Sequence, residues 1–142
     1  MYRSEDYDKI REKLNDIEKK AKKYYQDNYE EPTKEEYDNV MDDIKKYIKD
    51  KGLIIYGGYA QNRLIGIKNI NDEFYDDTDR PDLEVYSPDP IGDTMKLVDI
   101  LHNKKYKYVA AEEGVHNETY KIFVNFLPFS DISYMDPFVF KN

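Results

Sequence analysis

The sequence predicts a mixed α+β fold, and three observations carry that prediction. In the first half, apolar residues recur at alternating steps of three and four, which marks helices. In the second half, short apolar or alternating runs mark strands, with helical stretches between them. One composition shift falls near Gly52. We therefore expect an N-terminal helical hairpin over residues 1–51, then a core with a mixed β-sheet flanked by helices over residues 52–142.

The first helix is expected to open at Ser4 as its cap, with Glu5 and Asp6 in the first turn, where the helix dipole favours negative charge. Tyr7, Ile10, Leu14, Ile17, Ala21 and Tyr24 form its apolar stripe. The stripe has heptad spacing over fewer than three heptads, so packing on a neighbouring helix is expected rather than a long coiled coil. Residues 27–32 break the pattern. Thr33 and Glu36 have capping-box spacing, so a second helix starts there. Its stripe is Tyr37, Val40, Met41, Ile44, Tyr47 and Ile48, and Gly52 stops it. The tyrosines of both stripes read as core rather than as stacking platforms for bases. The lysine clusters at 19–23 and 45–51 read as solvated helix faces.

Leu53 to Tyr56 is a short apolar run and reads as a buried strand, ended by Gly57-Gly58. Tyr59 to Ile65 reads as the next helix. Residues 66–81 are polar, with Asp72, Glu73, Asp76, Asp77 and Asp79, and read as an open, mobile loop. Asp82 to Tyr86 alternates and reads as a strand. Pro88 to Pro90 make a turn and cap before a helix carrying Ile91, Met95, Val98 and Leu101. Tyr106 to Ala111, Thr119 to Phe126 and Asp131 to Met135 read as three further strands.

Composition narrows the function. The chain has 142 residues, 30 acidic against 22 basic side chains, a net charge of −8 and no cysteine. One domain of ordinary size fits that length. Cysteine nucleophiles, disulfides and zinc–thiolate sites are excluded. The net charge argues against gripping nucleic acid through bulk positive charge. No apolar run approaches the roughly 20 residues that span a bilayer, and residues 1–20 hold no apolar signal core, so neither membrane insertion nor secretion is expected.

Two features bear chemistry. Glycines between a strand and a helix let the backbone approach a ligand, and the free N–H groups of the first helical turn attract an anion such as phosphate. Gly57 and Gly58 occupy that place, although such a pair also serves simply as a tight turn. They fit neither the Walker nor the Rossmann pattern. The second feature is Asp82-Leu83-Glu84. Strand residues two apart share a face, and two carboxylates on one face repel unless a cation lies between them. The apolar Leu83, Val85 and Tyr86 argue for a half-buried strand, and the pair suits Mg²⁺. Asp131 is the best third carboxylate, with Asp136, before Pro137, as the runner-up. His102 and His116 read as structural.

The order strand, Gly-Gly, helix, Asp-x-Glu strand and later Asp strand resembles the polymerase-β-type nucleotidyltransferase superfamily. A narrower resemblance rests on Tyr56-Gly57-Gly58-Tyr59-Ala60-Gln61-Asn62, on Pro81 to Ser87, on His116 to Ile122, and on Val124-Asn125-Phe126 followed by Asp131 to Met135. These blocks look like the catalytic subunit of poly(A) polymerases from giant viruses and related large cytoplasmic DNA viruses. The resemblance implies template-independent addition of adenylate from ATP to an RNA 3′ end by two-metal nucleotidyl transfer. It implies Gly57, Gly58, Asn62 and Ser87 as nucleotide-binding residues. It implies Asp82, Glu84 and Asp131 as catalytic ligands of Mg²⁺ or Mn²⁺. It also implies a host-cytoplasmic (viral factory) or virion setting, with a homodimer or an accessory viral subunit open as assemblies. Glu84 stands where Asp is more usual, and the interval from Gly58 to Asp82 is long. Such polymerases continue well beyond residue 142, so the chain is expected to be an N-terminal piece. Two other readings stand beside this one: a non-catalytic oligomerisation module of such an enzyme, and a small stand-alone nucleotidyltransferase acting on a protein or small molecule.

Overall fold

The computed structural model describes residues 3–29, 31–76 and 78–142. Asp77 of the acidic loop lies outside the described residues. Helix α1 (Ser4–Asn28) begins at Ser4 itself, not after it. The Asp6 carboxylate accepts the Arg3 backbone N–H at 2.9 Å, so the cap comes from the first turn rather than from the serine. Helix α2 (Lys34–Lys51) has the expected ends. Thr33 accepts from the Glu36 N–H at 3.2 Å, and Gly52 closes the helix at φ 68°.

The two helices meet different fates. All six stripe residues of α2 are buried and join one core with Leu83, Val85, Leu97, Leu101, Ile122, Phe129 and Ile132. The expected boundary between residues 51 and 52 therefore cuts through a single core, because α2 is one of its walls. Helix α1 does the opposite. Tyr7, Ile10, Leu14, Ile17 and Tyr24 are all exposed, and so are Tyr25 and Tyr29. Its polar side faces the body instead: the Gln26 amide donates to the Thr78 carbonyl at 2.8 Å, and Lys22 stands 4.0 Å from Asp79. The expected packed hairpin is not formed among the described residues.

Strands β1 (Ile54–Tyr56), β2 (Leu83–Ser87), β3 (Ala110–Glu113), β4 (Thr119–Val124) and β5 (Leu127–Tyr134) form a sheet in the order β1-β2-β5-β4-β3. Only β2 and β5 run parallel among its neighbours. Helix α3 (Gly57–Lys68) starts at the first glycine and packs on β1 and β2. Helix α4 (Pro90–Asn103) crosses one face of the sheet beside α2. A short helix α5 (Pro137–Lys141), absent from the sequence expectation, closes the chain. The third strand was expected at 106–111 and instead begins at Ala110. Lys105 and Tyr108 take left-handed backbone (φ 68° and 49°), which curls residues 105–109 into turns.

Among the described residues of 66–81, local hydrogen bonds hold the acidic segment. A 3₁₀ turn (Ile70–Asp72) follows α3. The Asn62 side chain accepts the N–H groups of Phe74 and Tyr75 at 2.7 and 3.2 Å. Asp76 accepts from both the N–H and the hydroxyl of Thr78, and Asp79 accepts the Asp76 N–H. Local side-chain-to-backbone bonds thus overcome the like-charge repulsion that the sequence suggested.

Sheet alternation sorts the side chains. Leu83, Val85 and Ser87 are buried toward α2 and α4, whereas Glu84 and Tyr86 are half-buried on the other face. A polar knot ties the buried face. Asp93, in the first turn of α4, accepts the Tyr47 hydroxyl at 2.6 Å and the Ser87 hydroxyl. Asp93→Ala would leave both hydroxyls buried without that acceptor. We expect it to cost about 2–4 kcal/mol, the sum of two unsatisfied groups, read as a fall in the urea midpoint. Tyr47→Phe, losing one bond, should cost about half as much.

Candidate active site

The open face of the sheet carries a row of side chains set by register. Tyr56 pairs with Glu84, Glu84 with Asp131, Asp131 with Lys121, and Lys121 with Glu112. Neighbouring strands lie about 5 Å apart, so the row is continuous across all five strands. Alternation accounts for it: Leu83, Val85, Ile122 and Ile132 fill the core, which turns Glu84, Lys121 and Asp131 outward.

Gly57 and Gly58 stand at the β1 end of this row. Gly57 has φ 73°, and a Cβ there would lie 1.5 Å from Oε2 of Glu84. A Cβ on Gly58 would lie 2.5 Å from the Tyr75 hydroxyl. The glycines let the Glu84 carboxylate and the Tyr75 hydroxyl come close, whereas the sequence reading is of a ligand approaching there. The Gly58 N–H already donates to Oε2 of Glu84 at 3.2 Å. The anion at the start of α3 is therefore a side chain of the protein itself. The longer arm of glutamate, noted against the more usual aspartate, is what reaches it.

Asp82 sits one residue before β2, half-buried. The Tyr37 hydroxyl of α2 donates to the Pro81 carbonyl at 2.6 Å, and the Arg80 guanidinium lies over the Tyr37 ring at 5.6 Å. Burial, then the charge of Asp38, holds the Tyr37 phenol well above its ordinary value, with Asp82 adding in the same sense. Asp131 accepts from the Lys121 ammonium at 3.0 and 3.1 Å. That hydrogen bond raises Lys121 above the usual lysine range, and the charges of Asp131, Asp82 and Glu112 add to it. Tyr56 is raised mainly by burial; its hydroxyl and that of Ser133 are 3.1 Å apart, and its ring stacks on Tyr86 at 3.9 Å.

The other sequence-predicted residues are engaged by the protein itself. Ser87 is fully buried on the core face, bonded to Asp93, on the opposite side of the sheet from Glu84. Asn62 spends its carbonyl oxygen on the backbone of residues 74 and 75, which makes it a clamp for that segment. Asp136 caps α5, accepting the Phe138 N–H at 2.8 Å. Among the described residues no three His, Cys, Asp or Glu side chains converge closely enough to hold a metal ion. Asp82, Glu84 and Asp131 share one neighbourhood, but Glu84 is engaged by Gly58 and Asp131 by Lys121. Sequence reasoning missed Lys121. The alternation Thr119, Lys121, Phe123 on β4 was the available signal, because it puts the lysine on the carboxylate face.

The sequence pattern of the poly(A) polymerase catalytic subunit family matches residues 42–142. The chain belongs to that family. It is 39% identical over 139 residues to the protein named as the poly(A) polymerase catalytic subunit of Acanthamoeba polyphaga mimivirus, covering 98% of this chain and 24% of that one. It is 31% identical over 106 residues to the counterpart in African swine fever virus (strain Badajoz 1971 Vero-adapted), covering 75% and 22%. The crystal structure of Megavirus polyadenylate synthase superposes with a TM-score of 0.90 at 42% identity, over 99% of this chain and 28% of that one. The chain thus spans about a quarter of the length of the relatives it matches. No helix among the described residues is long and apolar enough to cross a membrane.

Proposed function

We propose that this chain carries the nucleotidyl-transfer site of an enzyme that adds adenylate from ATP to RNA 3′ ends without a template. The observation that carries the reading is the in-register row of Glu84, Asp131 and Lys121 with the Gly57-Gly58 turn at its edge, in a member of this family. The start of α3 offers N–H groups to the triphosphate. A phosphate oxygen taking the Gly58 N–H replaces the Glu84 carboxylate there, which releases Glu84 toward Asp82. Those two carboxylates are an all-oxygen set that suits Mg²⁺ or Mn²⁺, and a cation bound there would neutralise triphosphate charge. Lys121 holds the Asp131 carboxylate on the side of the row away from the glycines, where the RNA 3′ hydroxyl can hydrogen-bond to it. Positioning and charge complementarity supply most of such catalysis. The setting that goes with this reading is the host cytoplasm or the virion.

The test is primer extension with Mg²⁺, labelled nucleotides and a short RNA. We expect template-free extension that prefers ATP over the other three nucleotides. Label passing from ATP to a protein or small molecule, with the RNA unextended, would sink the reading. A second reading, a module that binds nucleotide without transferring it, draws on the engagement of Glu84 by the Gly58 N–H and of Asp131 by Lys121. ATP binding with no transfer to any acceptor would favour it.

A further inference from the structure

Beyond Lys121 the open face of the sheet leads to a feature that the proposed chemistry does not use. Tyr108 and Phe126 are 66% and 78% exposed, and their ring centroids lie 4.9 Å apart. Both residues take left-handed backbone, at φ 49° and 67°, and so does Asn125 between β4 and β5, at φ 49°. Bulky side chains seldom adopt that conformation, and such strain collects where a side chain must be presented in one direction. The two turns are tied together, with the Asn125 N–H donating to the Lys107 carbonyl at 2.9 Å. The rings, with Val109, Ala110, Glu112 and Phe123, line a trough of about 530 Å³.

The trough has a definite place relative to the carboxylates. Glu112 is the register partner of Lys121, and Ala110 that of Phe123. Lys121 and Phe123 are two apart on β4 and share a face. The trough therefore continues the row Glu84, Asp131, Lys121, Glu112, on the face opposite to α4. Gly57 and Gly58, where pyrophosphate would leave, lie at the other edge of the sheet. In an in-line displacement the attacking and leaving oxygens stand on opposite sides of phosphorus. The attacking 3′ end must then come in over β4 and β3, across the trough. The approach is basic as well as aromatic: Lys105 and Lys107 are exposed in the turns that precede β3, and Lys121 offsets Glu112.

We propose that Tyr108 and Phe126 form a stacking platform for the 3′-terminal bases of a single-stranded RNA, with Lys105 and Lys107 serving its phosphates. The inference rests on the adenylation reading and assigns the primer side of that site. Aromatic rings stack on any base, so the platform grips the strand without selecting sequence. It also shows how a chain of net charge −8 meets RNA: by local stacking and a few lysines rather than by its overall field.

The experiment uses an oligoribonucleotide with 2-aminopurine at its 3′ terminus, whose fluorescence is quenched on stacking. Titration with the chain should quench it. Phe126→Ala and Tyr108→Ala should each weaken binding roughly tenfold, and Phe126→Tyr should retain it. Both positions are exposed, and an unchanged circular dichroism spectrum shows that the variants fold. Lys105→Ala and Lys107→Ala should each lower the salt dependence of binding by about one phosphate contact. The proposal is overturned by a terminal base that is not quenched, or by equal quenching with Phe126→Ala. Primer extension with an unchanged KM for RNA in the Tyr108→Ala, Phe126→Ala double variant overturns it too, and leaves the adenylation reading standing. Ring-dependent quenching with no extension supports the platform and removes the adenylation reading instead.

Discussion

Asp82→Ala and Glu84→Ala are each expected to abolish nucleotide transfer while leaving the fold in place. Neither side chain belongs to the core: Asp82 precedes β2, and Glu84 faces out while Leu83 and Val85 are fully buried. Truncation therefore removes charge without opening a cavity, and the unfolding midpoint should stay within about 0.5 kcal/mol of the parent, as for other surface changes. Loss of transfer should be on the order of a thousandfold or more, since removing one preorganised electrostatic contact alone costs about 10² to 10³ in rate. Glu84→Asp is the informative partner. It keeps the charge but shortens the arm that now reaches the Gly58 N–H. Partial activity with Glu84→Asp, against none with Glu84→Ala, assigns the role to a charge near β2. Full activity in Glu84→Ala would remove Glu84 from the site.

Gly57→Ala should be nearly as damaging, and for a different reason. The residue holds φ 73°, where an L side chain is strained, and its Cβ would fall 1.5 Å from the Glu84 carboxylate. The backbone term alone costs about 1–2 kcal/mol. The collision is relieved most simply by driving the carboxylate aside, because it is the end of a flexible arm. We therefore expect a modest loss of stability beside a large loss of transfer. Thermal unfolding and primer extension on the same preparation separate the two. Gly58→Ala tests the second glycine, whose Cβ would crowd the Tyr75 hydroxyl without left-handed strain.

Much of this was legible in the sequence, and the failures have physical causes. The strand, Gly-Gly, helix and Asp-x-Glu order was readable as structure because each piece is local: alternation sets the face, and glycine sets the turn. Both α2 ends and its whole stripe were readable for the same reason. Partner choice was not. The stripes of α1 and α2 look alike in periodicity, yet one is buried and the other faces away from the body. Periodicity reports that a face is apolar, not what covers it. The burial of Ser87 could not be read from its neighbours, because the Asp93 it bonds is also held by the distant Tyr47. Alternation could place Lys121 on the outward face of its strand, but its pairing with Asp131, ten positions away in sequence, needed the register.

The bond from Tyr37 to the Pro81 carbonyl has a practical consequence for dissecting such enzymes. Composition invites a deletion at Gly52, yet a fragment starting there would strip six apolar side chains from the core and release the segment leading into Asp82. Its inactivity would then be misread as evidence for an RNA-binding leader. A deletion that ends before Glu31 keeps the cap of α2, the buried Pro32 whose carbonyl accepts from Arg80, and the approach to Asp82 together, and is the cut that isolates what α1 contributes.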